Sequence, residues 1–130
     1  MQVNWLAVIV AALSTFVLGG LWYGPLFGKV WMRATGITEE KAKQANMPLV
    51  FGASFVLELI AAAVLAMFIG GETTFGFAVA AAASVGVCWV APALGVLYLF
   101  EQRPLSHWLI NAGYHGVAFT LMGVIIGAWR

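Results

Sequence analysis

Four stretches of this chain each run for more than twenty residues with almost no charge: Val3–Gly28, Pro48–Ile69, Phe75–Phe100 and Leu105–Trp129. A helix rises about 1.5 Å per residue and bilayer hydrocarbon is about 30 Å thick, so about 20 apolar residues suffice to cross it. Backbone in lipid must satisfy its own hydrogen bonds, which admits only helices and closed barrels. Barrel strands alternate apolar and polar side chains, whereas these runs are continuously apolar. The expected fold is an all-α membrane protein. Residues 1–130 form one four-helix transmembrane domain, with spans at about 3–28, 48–69, 75–100 and 105–129. Composition agrees: 8% of the residues are charged and 63% are hydrophobic, whereas about a quarter of a soluble domain is charged.

No basic residue precedes the first run, and it is longer than a signal-peptide core, so it is expected to be a retained helix. Lys29, Arg33, Lys41 and Lys43 fall between the first two runs, and Arg103 between the last two. The turn Gly70-Gly-Glu-Thr-Thr74 has no Lys or Arg, and the C-terminus has Arg130 alone. Excess Lys and Arg mark the cytoplasmic side. Residues 29–47 are therefore expected as a cytoplasmic loop, with both termini outside, in a multi-pass protein of the cell inner (plasma) membrane. Thr38-Glu-Glu-Lys41 reads as the start of a short surface helix, a hydroxyl N-cap followed by acids in the first turn. A net charge of +1 offers no polybasic surface for nucleic acid. The lone Cys88 excludes an intrachain disulfide and is expected to be a small buried hydrophobe.

A motif repeats. Trp22-Tyr-Gly-Pro-Leu-Phe-Gly28 and Trp89-Val-Ala-Pro-Ala-Leu-Gly95 share W-x-x-P-x-x-G at a separation of 67 positions. Each proline-bearing run is followed by a loop and a Pro-Leu pair, Pro48-Leu49 or Pro104-Leu105, that suits a first helical turn. The pattern predicts two parallel hairpin repeats related by an axis along the membrane normal. Helices 1 and 3 are expected to bend near Pro25 and Pro92. Gly20, Gly24 and Gly28 form a small-residue stripe expected to pack helices closely. Ala112-x3-Gly116 and Gly123-x3-Gly127 do the same on the last run. Trp5 and Trp129 suit one membrane boundary, Trp22, Trp31 and Trp108 the other, and Trp89 is expected to pack inside.

Glu58 and His115 are the potentially charged side chains near mid-membrane, each about ten residues into its run. A carboxyl at that depth costs about 3 kcal/mol on insertion scales, so it must face protein or water. His115 is its expected partner. His107, Asn111 and His115 recur every four residues and share a helix face, with Tyr114 beside them. Ser54 and Glu58 share that spacing on the second run, Ser84 and Cys88 on the third, and Ser14 and Thr15 are the counterparts on the first. Turned inward, these faces would make a thin polar seam. It is either a proton or ion pathway or a set of polar contacts fixing helix register. A haem or metal site at His115 would need ligands pooled from several subunits.

Asn4-Trp5-Leu6, Trp22-Tyr-Gly-Pro-Leu-Phe-Gly28 with Trp31-Met32, Ala45-Asn-Met-Pro48 and Ile110-Asn-Ala-Gly-Tyr-His115 resemble the bacterial membrane family catalogued as domain of unknown function 1761 (DUF1761). The resemblance implies a small multi-helix membrane protein and carries over no activity and no site residue. No P-loop, nucleophile elbow or H-E-x-x-H occurs, so an enzyme is not expected. The expectation is an oligomeric proton- or ion-linked transporter or channel of unknown substrate. It needs no cofactor, and its partners are the lipid bilayer and further copies of the chain. The alternative is a non-transporting structural or accessory subunit.

Overall fold

The computed structural model describes residues 3–71 and 73–129; Glu72 and Arg130 of the charge argument lie outside them. No strand occurs among the described residues. Four helices are long and apolar enough to cross a membrane: Trp5–Leu26, Met47–Ile69, Phe75–Phe100 and Leu105–Ala128. We call them spans 1 to 4.

Local chemistry accounts for where they begin and end. Asn4 caps span 1 by accepting from Ala7 N at 3.1 Å, and its amide donates to the Trp129 carbonyl at 2.9 Å, clasping the two ends of the chain. Asn46 caps span 2 by accepting from Leu49 N at 3.2 Å, with Pro48 in the first turn. Span 3 ends in a Schellman turn: Arg103 N donates to Tyr98 O and Gln102 N to Leu99 O, with Gln102 left-handed at φ 60°.

Between spans 1 and 2 the chain forms two short helices, α1 (Gly28–Thr35) and α2 (Glu39–Gln44). Gly36, left-handed at φ 77°, separates them, a geometry that glycine adopts without steric cost. Thr38 caps α2 by accepting from Lys41 N at 3.1 Å. The helix α1 was not expected in the loop. It is amphipathic and packs on span 4.

Both proline-bearing spans widen into π-helical turns, at Trp22–Leu26 around Pro25 and at Val85–Val90 just before Pro92. Proline has no N–H for the i−4 carbonyl, and the ladder accommodates this by lengthening; Phe27 N donates five residues back, to Trp22 O at 2.9 Å.

Span 4 is central and packs against spans 1 and 3, while span 2 leans mainly on span 1. The tightest core lies in the half of the bundle that holds both termini. Ala11, Ala12, Ala62, Ala78, Ala82 and Met122 are all sealed from solvent there. In lipid, helices gain little from hydrophobicity and associate by close backbone approach, which alanine and glycine permit. A methyl added at Gly86 would sit 2.6 Å from the His115 carbonyl oxygen, and one at Gly123 would collide with Ala82.

The Gly20 and Gly24 stripe does not serve this purpose inside the chain, since nothing lies within 4 Å of a methyl built at either. Gly28 is crowded only by its own neighbouring backbone, the Tyr23 carbonyl. Two further expectations are corrected. Trp89 is 67% exposed on the outer surface, because the close approach of spans 3 and 4 leaves no room for an indole. Cys88 is exposed on that surface too. A thiol is a weak donor that lipid tolerates.

Candidate functional site

The other half of the bundle, which carries the connections between spans 1 and 2 and between spans 3 and 4, is open. Span 2 is exposed along most of Met47–Leu57, and a space of about 710 Å³ lies between it, α2 and spans 1, 3 and 4. We call this space the vestibule. Its rim carries Lys41 of α2 and Arg103, and its wall carries His107, Asn111 and His115 from span 4. Those three share a wall because four residues advance a helix by little more than one turn.

Spans 1, 3 and 4 meet at Asn111. The Tyr23 hydroxyl donates to Asn111 Oδ1 at 2.7 Å, and Asn111 Nδ2 donates to the Tyr98 hydroxyl at 3.0 Å. Trp22 Nε1 donates to the Ile110 carbonyl at 2.9 Å and Trp108 Nε1 to the Ala91 carbonyl at 2.8 Å. The π turn at Trp22–Leu26 presents both Trp22 and Tyr23 to span 4. The Tyr23 ring also touches Trp31 at 5.4 Å and Tyr114 at 5.3 Å between centroids.

Beyond Tyr23 lies a second, smaller space of about 270 Å³, shared by spans 1, 2 and 4. Tyr23, Val50 and Ser54 border both spaces, so they form the partition. Glu58 sits in the inner one with Thr15 and Tyr114. It shares that space with the Thr15 hydroxyl. That hydroxyl donates its one proton to the Ala12 carbonyl at 2.6 Å, and the Tyr114 phenol donates its own to the Thr15 carbonyl at 3.0 Å.

No hydrogen bond or ion pair joins Glu58 to His115 among the described residues. Successive helical residues point about 100° apart. Tyr114 takes the direction toward Glu58, and His115 faces the vestibule with its ring edge-on to Tyr114. Ser54 borders both spaces, as stated. Ser84, expected to line the seam, is turned outward and donates to the Ala80 carbonyl at 2.8 Å. Span 3 contributes Tyr98 in its place. The sequence offered one signal for Tyr98, Tyr23 and Trp22: a polar tip on an aromatic in an apolar run needs a partner. Among the described residues no group of three or more His, Cys, Asp or Glu converges as a metal centre would require.

Four spanning helices, an alanine-packed half and a polar recess define a helical multi-pass membrane protein. The family described as "Protein of unknown function (DUF1761)" matches residues 6–127, nearly the whole chain. The chain belongs to this family. No curated protein and no solved structure matches it at a significant level.

Proposed function

We propose that this chain is a proton-linked carrier of the inner (plasma) membrane, in which Glu58 takes up and releases the proton. The observation that carries this reading is the one-sided recess. It is entered past Lys41 and Arg103 and bordered by Tyr23, Val50 and Ser54, behind which a separate space holds Glu58, the acid within the spans. Past Glu58 the alanine core closes the route. A binding space open to one side and sealed to the other is what alternating access requires of one of its states. An intramembrane carboxyl is kept where it moves charge or binds.

The mouth of the recess faces the cytoplasm in this reading, because five of the six basic residues lie on the connections at that end. Both termini then face outward. The π turns beside Pro25 and Pro92 support a pair of hairpin repeats with local bends. The open stripe at Gly20 and Gly24 supports assembly with further copies through span 1. No catalytic step is part of this reading. An accessory subunit without transport draws on a different observation, the Tyr23–Asn111–Tyr98 links that tie three spans together.

The deciding experiment is proton flux into proteoliposomes loaded with a pH-sensitive dye. The carrier reading expects flux in the parent and its loss in Glu58→Gln, with helical circular dichroism and melting temperature preserved. A parent that passes no protons under any imposed gradient leaves the accessory reading standing.

A further inference from the structure

We infer that the vestibule takes a small organic anion, a carboxylate or phosphate monoester carrying a compact apolar body; this rests on reading the recess as a substrate site. The charges lining it are of one sign. Lys41 and Arg103 border it, and no Asp or Glu does. Glu58, which would favour a cation, lies in the separate inner space behind Tyr23.

Arg103 pairs with Glu101 through Nε alone, at 3.2 Å, which leaves its two terminal nitrogens for the parallel donors that carboxylate and phosphate oxygens accept. Lys41 forms no ion pair among the described residues. The remaining polar groups on the wall include donors: the Asn111 amide, the Tyr98 hydroxyl and the histidines.

His107 adds an independent observation. It is 8% exposed, stacks on Tyr98 at 4.4 Å between centroids, and its Nδ1 is sealed off with no hydrogen-bond partner. A buried N–H without an acceptor is among the rarest features of folded proteins, so the proton belongs on Nε2. Nε2 is not sealed, and it adds a donor to the wall. The rest of the surface is Trp31, Ile37, Val50 and the Tyr23 ring, with the Thr35 and Ser54 hydroxyls. A volume of about 710 Å³ suits a ring-sized body better than a bare inorganic ion. A cation would meet Lys41 and the free end of the Arg103 guanidinium at the mouth.

The test is calorimetric titration of the full chain in phosphatidylcholine nanodiscs with benzoate, phenyl phosphate and benzylamine. Saturable binding of one or both anions is expected, with none of benzylamine. Arg103→Gln and Lys41→Gln should each weaken anion binding at least tenfold, and both positions are surface-exposed, so the fold is not at risk. Benzylamine binding as tightly as benzoate, or anion binding untouched by both substitutions, overturns the inference. Nanodiscs containing phosphatidylglycerol separate the sources: if that lipid displaces phenyl phosphate, and no soluble anion binds in its presence, the anion is a headgroup and the soluble solute is overturned. Anion binding without Glu58-dependent proton uptake defeats the carrier reading alone. Proton uptake without anion binding defeats this inference alone.

Discussion

Tyr23 is the side chain on which the recess turns. Its hydroxyl holds Asn111 across the bundle at 2.7 Å, and its ring stands between the vestibule and Glu58. These two roles come apart by substitution. Tyr23→Phe keeps the ring and removes the donor to Asn111 Oδ1. Interhelical hydrogen bonds in membranes are worth about 0.6 to 1.7 kcal/mol, so we expect a loss of about 1 kcal/mol in a denaturant titration. Tyr23→Ala should open the partition as well. Glu58 then becomes more reachable from the vestibule, and its labelling by a carbodiimide should be several-fold faster in Tyr23→Ala than in Tyr23→Phe. Equal labelling rates in the two variants would remove Tyr23 as the barrier.

At the scale of helices, the packing is a matter of small residues on particular faces, and it makes a paired prediction. Gly86→Ala forces a methyl to 2.6 Å from the His115 carbonyl, and both partners are backbone, so spans 3 and 4 must separate. Overpacking of this kind costs about 1–3 kcal/mol. Gly52→Ala, on span 2, meets nothing within 4 Å and gains helix propensity, so stability should be unchanged or raised by up to about 1 kcal/mol. The same chemical change thus has opposite signs on two spans, which thermal unfolding in nanodiscs reads directly. The four spans were legible because hydropathy sums over some twenty residues, and the Thr38 cap and the Pro48 first turn because helix-start chemistry is local. Which face of span 3 turns inward was not legible. Ser84 and Cys88 looked like seam residues, yet Ser84 satisfies its hydroxyl on its own helix at Ala80, and the face that packs is Ala78, Ala82 and Gly86. Polarity is a poor guide to the inside when the solvent is lipid, because a satisfied polar group tolerates lipid and a bulky apolar one such as Trp89 does not fit a tight interface. At Glu58 the depth was legible and the neighbour was not, since choosing Tyr114 over His115 depends on a rotation of about 100° that no spacing argument resolves.

The whole molecule is asymmetric along its length, with the buried alanine core in the half that holds the termini and the vestibule in the other, and any account of transport must move that boundary. Thiol accessibility follows it position by position. Cys88 faces outward from mid-span, out of reach of a charged, membrane-impermeant maleimide, so the unaltered chain supplies its own blank. In a resting membrane, Ser54→Cys and Asn111→Cys on the vestibule should react with reagent added on the side of the 28–46 connection, while Ala62→Cys and Ala78→Cys in the alanine core react from neither side. Helices packed on alanine are bistable more readily than they are compressible, since a close-packed interface either holds or slides. A carrier must therefore populate a second arrangement in which the sealed half is wet and the vestibule closed. Under an imposed proton gradient, Ala62→Cys or Ala78→Cys should become reactive from the opposite side as Asn111→Cys is protected, and Glu58→Gln should freeze the resting pattern. If the gradient leaves all four positions unchanged in the parent, the alanine half is a permanent plug. The polar groups above it then serve only to hold three spans together.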